Sequence, residues 1–306
     1  MTDVTEAVAP DERPQADDTD AQVGAGAPER VGVLGGGRMG AGIAHAFVLA
    51  GSDVVVVERD PAAASAAQDR VAQSLRKSVE RGWAEPLAEL EGRLRVAVEA
   101  TAFVDCDLVI EAVPEDEGLK ADALARVEAV LSPSASLASN TSSISIDRLA
   151  AALSRPERFL GLHFFNPVPA SALVEIVLGQ RTDPALANDA RAWVEAIGKT
   201  PVTVHDAPGF ASSRLGVAIG LEAIRMVEEG VASPGDIDLA MELGYKHPVG
   251  PLRTTDIVGL DVRLGIAEQL HRELGPRFAP PQLLRDMVAE GRLGKKSGRG
   301  FYDWNA

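Results

Sequence analysis

Two side chains stand out for chemistry, His163 in Arg158-Phe-Leu-Gly-Leu-His163 and Glu175 in Leu173-Val-Glu-Ile-Val177. Both runs read as strands. The proline-containing loop between them, Asn166-Pro-Val-Pro169, is too short for a helical crossover, so antiparallel pairing is expected. If the strands turn about Pro169, residues whose numbers sum to 338 face one another, and 163 and 175 do. An imidazole beside a carboxylate is an orienting pair that also makes the ring a better base. Such a base takes a hydroxyl proton while hydride leaves the same carbon. The plainer alternative is a structural histidine in a loop. The other histidines have weaker settings: His45 falls inside a helix, His205 near a boundary, His247 before Pro248 and His271 in a polar helix. No thiolate pair or paired-histidine spacing supports a metal. Hydrolysis is disfavoured, because Ser142 is not in a G-x-S-x-G elbow and ester cleavage needs no dinucleotide.

A departing hydride needs an acceptor, and the stretch from Arg30 supplies a place for one. Val31 to Leu34 is a short apolar strand that runs into Gly35-x-Gly37-x-x-Gly40 and an alanine-rich helix. Gly35 permits the tight turn, Gly37 lets backbone approach a pyrophosphate, and Gly40 lets the helix pack against the strand. Arg38 and Met39 fill the turn, where the first helix amides and the helix dipole favour an anion. The next strand, Asp53 to Val57, ends at Glu58, eighteen residues after Gly40, where a carboxylate accepts hydrogen bonds from the adenosine ribose. Glu58 should also repel a 2′-phosphate, with Arg59 beside it as a partial offset, so the expected cofactor is NAD. After the strand at Ser136–Ser139 comes Asn140-Thr-Ser142-Ser143. These side chains suit hydrogen bonds to nicotinamide or substrate, but on their own they read better as a cap for the following helix.

The elements that position these residues alternate as strand and helix: a helical tract from Pro61 through Arg81, strands at Leu94–Val98 and Asp107–Val113, a helix at Asp122–Leu131 and a last strand at Lys199–Val204. This rhythm is an α/β, doubly wound Rossmann-type sheet. At Pro208-Gly209 strands give way to helices, and a C-terminal all-helical domain is expected there. The run from Ser212 to Glu229 is apolar on most faces, as in a domain core or a subunit interface. The expected division is an acidic disordered tail over 1–29, a dinucleotide domain over 30–207 and a helical domain over 208–306. Of 306 residues 46% are hydrophobic and 4% aromatic, so aliphatic side chains must fill the cores. The net charge of −15, of which −6 falls in residues 1–30, argues against nucleic acid or an anionic membrane as partner. A lone Cys106, no apolar leader and no membrane-length apolar run suggest a soluble, cytoplasmic protein.

Taken together the motifs resemble the 3-hydroxyacyl-CoA dehydrogenases, including 3-hydroxybutyryl-CoA dehydrogenases, from about Arg30 to Trp304. The carriers are residues 35–44, Ser-Asn-Thr-Ser-Ser (139–143), Gly-Leu-His-Phe-Phe-Asn-Pro-Val-Pro (161–169) and Leu-Val-Glu-Ile-Val (173–177). Pro-Gly-Phe (208–210), Gly-Pro-Leu (250–252), Gly-Leu-Asp (259–261) and Leu-Gly-Lys-Lys-Ser-Gly-Arg-Gly-Phe-Tyr (293–302) continue the series. The resemblance implies NAD-dependent, reversible oxidation of a (3S)-hydroxyacyl-CoA by a two-domain enzyme that dimerises through its helical domain. It implies His163 as general base, Glu175 as its partner, Ser142 on the reacting oxygen, and Asn140 and Asn166 lining the cleft. Glu58, Glu115, Lys120 and Lys296 match cofactor-side positions, while Ser74 and Arg81 match positions near the adenine nucleotide of CoA. The helix after Pro61 carries a basic face of Arg70, Arg76, Lys77 and Arg81, which on its own reads as an ordinary solvated surface, and the match turns it into a receiver for the CoA handle. Two departures stand out: Ser213 replaces the usual active-site Asn, and Ser171-Ala172 replaces the usual Met-Lys. A dehydrogenase of CoA-free hydroxy acids and a non-catalytic NAD-binding protein are the rival readings.

Overall fold

The structure, a computed structural model, describes residues 26–83 and 85–305. Its strands are β1 (Arg30–Leu34), β2 (Asp53–Val57), β3 (Leu94–Ala97), β4 (Leu108–Glu111), β5 (Ser136–Ser139), β6 (Phe159–Phe164), β7 (Leu173–Leu178) and β8 (Thr200–His205). They form one sheet in the order β3-β2-β1-β4-β5-β6-β7-β8. Neighbours from β3 through β6 run parallel, β7 is antiparallel to β6, and β8 is parallel to β7. The reversal at β7 follows from the short link after Phe164, which has no room for a crossover helix. Helices α1 (Arg38–Leu49), α2 (Pro61–Glu80), α3 (Leu87–Gly92), α4 (Glu117–Glu128), α5 (Ile146–Ala150) and α6 (Pro184–Ala196) supply the connections. The C-terminal helical domain carries α7 (Ser212–Glu228), α8 (Pro234–Tyr245), α9 (Pro251–Val258), α10 (Leu260–Leu274) and α11 (Gln282–Ala289).

Over most of its width the sheet is buried on both faces, as its apolar strands demand, and only the edge strand β8 is left largely exposed. One side packs Ile43 and Phe47 of α1, Val71 and Leu75 of α2, and Leu186 and Trp193 of α6. The other packs Phe103 from the turn before β4, Leu124 and Val127 of α4, and Ile146 and Leu149 of α5. Successive strands step outward from β1 in opposite directions, toward β2 and toward β4. A crevice therefore opens at the carboxyl ends of β1 and β4, where ligands of such sheets bind.

Several local expectations shift. The helix expected at Asp122–Leu131 begins at Glu117, because Asp116 caps it by accepting from the Leu119 amide at 2.8 Å. Of the tail expected over 1–29, residues 1–25 lie outside the described residues. Pro28 and Glu29 are already tied to the sheet, their carbonyls accepting from Ser52 Oγ and the Asp53 amide. In the helical domain two buried carboxylates explain the late motifs. Asp238 accepts from the Leu252 and Arg253 amides at the start of α9 and from the Tyr302 hydroxyl. Asp256 accepts from the Phe301 and Tyr302 amides and from Trp304 Nε1 at 2.8–3.0 Å. A side chain at Gly300 would occupy the place of the Asp256 carboxylate.

Candidate active site

The glycine turn has the shape a dinucleotide requires. Gly35 sits at φ +94°, and a Cβ on Gly40 would collide with the Gly35 carbonyl, so both must be glycine. A Cβ on Gly37, by contrast, would project into open space within reach of nothing. Gly37 starts α1, whose first turn has no side-chain cap and no acidic residue. That leaves helix amides and dipole facing the opening, a fit for the pyrophosphate of NAD. Arg38 is exposed at this turn, while Met39 packs its side chain partly against the core. Glu58 lies beside the turn, accepting from the Gly36 amide at 2.8 Å and from the Arg59 amide at 3.1 Å. Arg70 of α2 donates to the Gly36 carbonyl at 3.1 Å, which ties α2 to the same loop.

His163 and Glu175 face one another in the β6–β7 register, and His163 Nδ1 lies 2.8 Å from Glu175 Oε2. Both are buried. Phe165 and Phe210 close on the imidazole, with ring centroids at 4.4 and 5.8 Å. Phe210 adopts φ +50°, a left-handed conformation costly for a side chain of this size, and Gly209 before it sits at +73°. The strain places the aromatic ring in the sheet's core at the point where the chain leaves for α7. Glu175 is held from that helix as well. Its Oε1 accepts from the Ala211 and Ser212 amides at 3.2 and 2.8 Å, and its Oε2 from Ser212 Oγ at 2.7 Å. Burial pushes the Glu175 carboxyl up, but hydrogen bonds from His163 and Ser212 outweigh it and hold the pKa below the usual range. The pair therefore presents an ionised carboxylate on one ring nitrogen and leaves Nε2 for chemistry.

The segment after β5 comes to this pair through Asn140, whose Oδ1 accepts from the Phe164 amide at 2.9 Å. The expectation that Asn140–Ser143 cap the next helix does not hold, since Ser145 caps α5. Thr141, Ser142 and Ser143 instead converge on Glu115. Its Oε1 accepts from Thr141 Oγ1 at 2.7 Å, from the Ser142 amide at 2.8 Å, from the Ser143 amide and from both serine hydroxyls at 3.1 Å. Burial pushes the Glu115 carboxyl up, yet Lys120 and these donors hold it below its usual range. Beneath lies Glu111, fully buried, accepting from Lys120 Nζ at 2.7 Å, Ser139 Oγ at 2.6 Å and the Val113 amide at 2.7 Å. Lys120 also donates to the Val113 carbonyl at 3.1 Å and lies 3.4 Å from Glu115. Lys120 thus supports the turn from below. Gln269 of α10 completes it by donating to the Ser143 carbonyl at 2.7 Å.

Residues 30–207 match the family model described as 3-hydroxyacyl-CoA dehydrogenase, NAD binding domain, and residues 209–304 match 3-hydroxyacyl-CoA dehydrogenase, C-terminal domain. The chain belongs to this family. It is an NAD-dependent oxidoreductase, built on the dinucleotide-binding sheet described above. It is 45% identical over 284 residues to a 3-hydroxybutyryl-CoA dehydrogenase of Mycobacterium tuberculosis, covering 90% of this chain and 98% of the relative. A probable 3-hydroxybutyryl-CoA dehydrogenase of Deinococcus radiodurans is 43% identical, covering 90% of this chain and all of the relative. The crystal structure of (S)-3-hydroxybutyryl-CoA dehydrogenase from Ralstonia eutropha superposes with a TM-score of 0.87 at 40% identity, covering 91% of this chain and 99% of that one.

In this 3-hydroxyacyl-CoA dehydrogenase the remaining expected site residues lie apart, on α2, in the loop after β6 and in the helical domain. Ser74 and Arg81 lie two helical turns apart on α2, Ser74 donating to the Arg70 carbonyl and Arg81 ending the helix. Between them Ser78 meets His45 Nε2 at 2.8 Å, and burial with the nearby Lys199 charge pulls that imidazole's pKa down to about 4. Asn166 is exposed in the loop after β6. Lys199 clamps that loop, donating to the Val168 and Ser171 carbonyls at 2.7 and 2.6 Å. Lys296 pairs with Asp261 on the helical domain, its Nζ 2.6 Å from Oδ2. Ser213 makes no side-chain hydrogen bond among the described residues, whereas its neighbour Ser212, which the motifs did not single out, holds Glu175. The signal available for Ser212 was a hydroxyl at the first position of a helix following Pro-Gly-Phe.

Proposed function

We propose that the enzyme oxidises a (3S)-hydroxyacyl-CoA to the 3-oxoacyl-CoA, reversibly, with His163 as general base. The observation that carries this reading is the 2.8 Å His163–Glu175 pair at the carboxyl end of an NAD-binding sheet. Glu175 accepts from Nδ1–H, which fixes the tautomer and leaves the Nε2 lone pair to take the 3-hydroxyl proton. Ser142 donates to the same substrate oxygen after turning its hydroxyl from Glu115, and Asn140 and Asn166 flank the cleft. Held by Gly35–Gly40 and Glu58, NAD supplies the hydride acceptor. Glu115, Lys120 and Lys296 serve the cofactor side, the first two by fixing the Asn140–Ser143 turn. Ser74 and Arg81 on the basic face of α2 receive the adenine nucleotide of CoA, and Ser213 borders the acyl group. The relatives' names favour a short acyl chain.

The test is loss of nicotinamide absorbance with acetoacetyl-CoA. Turnover is expected with NADH and the thioester, and much less with NADPH, because the Glu58 carboxylate repels a 2′-phosphate. Equal or faster turnover of free acetoacetate would make the enzyme a CoA-free hydroxy-acid dehydrogenase. NADH binding without any turnover would make it a non-catalytic binder, and faster turnover with NADPH would remove Glu58 as the selector.

A second copy of the chain is the partner we assign to the helical domain. Leu215, Ile219, Leu239, Leu243, Ile257 and Val262 are exposed on α7 to α10, an unusual concentration of apolar side chains for a surface facing water. Sedimentation at micromolar concentration should give twice the chain mass; a monomer would refute the assignment. Among the described residues no helix is long and apolar enough to cross a membrane. Cys106 is buried, and burial pushes its thiol up to about 12, so it stays an inert thiol. That suits the reducing cytoplasm in which we place the enzyme.

A further inference from the structure

The Glu175 carboxylate is reached by two side chains among the described residues, His163 and Ser212, and both bond the same oxygen. His163 Nδ1 lies 2.8 Å from Oε2, and Ser212 Oγ lies 2.7 Å from it. Ser212 also gives its amide to Oε1 at 2.8 Å, and Ala211 adds a longer bond at 3.2 Å. α7 has no cap of its own and no acidic residue in its first turn. The anion its N-terminus favours is therefore Glu175, supplied from β7 across the junction between sheet and helical domain. Each donor on a carboxylate disperses its charge and lowers its capacity to stabilise a cation beside it. A hydroxyl on Oε2 does this on the one atom that faces the imidazole.

Other charges near the pair are engaged elsewhere. Among the hydrogen-bond partners of Glu175, His163 is the one titratable side chain. Across the sheet Glu175 faces Val202 of β8, and β5 brings Ser139, which is bonded to Glu111. Lys199, just before β8, donates to the Val168 and Ser171 carbonyls, and Asp206, just after it, accepts from Ser145. Arg214, in the first turn of α7, bonds neither member of the pair. Removing the Ser212 hydroxyl thus alters one contact of the pair and no ionic one.

We propose that Ser212 is a positioning residue for the reaction: its hydroxyl, sharing one Glu175 oxygen with His163, limits the charge lent to the imidazole and sets the pH at which the base sheds its proton. The inference rests on His163 being the base. The sign follows from the contact. Without the hydroxyl, Oε2 carries more charge, the imidazolium is favoured, and a higher pH is needed to free the base.

The experiment is the pH dependence of kcat/KM for (3S)-hydroxybutyryl-CoA oxidation by NAD, whose acid limb reports the base in the free enzyme. Ser212→Ala and Ser212→Val should each move that limb to higher pH by roughly half a unit or more, whereas Ser212→Thr, which keeps a hydroxyl, should retain the wild-type limb. Proton NMR titration of His163, assigned as the resonance missing from His163→Gln, should shift in the same direction without relying on turnover. A limb and a titration that stay at the wild-type position in both Ala and Val variants would overturn the proposal, even if their activity falls, because a merely structural role lowers the rate without moving the limb. Full activity in His163→Gln would instead overturn the reading of His163 as the base, which separates the two failures.

Discussion

His163→Gln should lose between about 10² and 10⁴ in kcat, the usual contribution of a positioned general base. A hundredfold corresponds to about 2.7 kcal/mol of transition-state stabilisation. Glutamine suits this test because it keeps a hydrogen-bonding amide for Glu175 and fills much of the space between Phe165 and Phe210. The fold should therefore survive while the proton acceptor is lost. Binding of NADH should be nearly unchanged, since the glycine turn and Glu58 are held by β1, α1 and β2 and none of their hydrogen bonds involves His163. Stopped-flow absorbance measures the first quantity and NADH fluorescence titration the second. Full turnover in the variant would remove His163 from the chemistry; loss of NADH binding would mean that the substitution had disturbed more than the base.

Lys120→Met should destabilise the protein by about 3–5 kcal/mol, the cost of stranding one member of a buried ion pair. Lys120 and Glu111 are both fully buried, 2.7 Å apart, so removing the ammonium leaves a carboxylate in the sheet with only Ser139 and the Val113 amide to satisfy it. The double variant Lys120→Met, Glu111→Gln should recover a substantial part of the loss, because a neutral amide is far less costly to bury than an unpaired charge. Urea denaturation of the two single variants and the double variant gives the coupling directly. A Lys120→Met protein within about 1 kcal/mol of wild type would show that water or a relaxed side chain compensates the charge. Activity should fall as well, since Lys120 and Glu115 together hold the turn that carries Asn140 and Ser142.

Much of this site was legible in the sequence, and the reason is geometric. Antiparallel strands joined by a short loop have a register fixed by their turn, so the pairing of His163 with Glu175 follows from counting along the chain. The glycine spacing and Glu58 are legible because the backbone must make a turn that few other residues allow. What sequence did not reveal depends on side chains meeting from distant segments. Glu111 reads as one more residue of an apolar strand, and nothing local says that Lys120 will neutralise it. Thr141, Ser142 and Ser143 look like a helix cap, a role short polar residues often play, until Glu115 draws them away. Ser212 was invisible for the same reason, since its partner belongs to another domain. Apolar spacing alone starts α4 at Asp122, whereas the Asp116 cap starts it at Glu117.

The Asp256 carboxylate also bears on how the protein is made. The sheet, residues 30–205, has all its strands early in the chain and can close while the remainder is still being synthesised. The helical domain cannot reach its final state so soon. Asp256 sits buried in α9, and its donors lie 45–48 residues later, at Phe301, Tyr302 and Trp304. Until that later segment packs against α9, the heart of this domain contains an anion without these hydrogen-bond donors, so the helical bundle closes last.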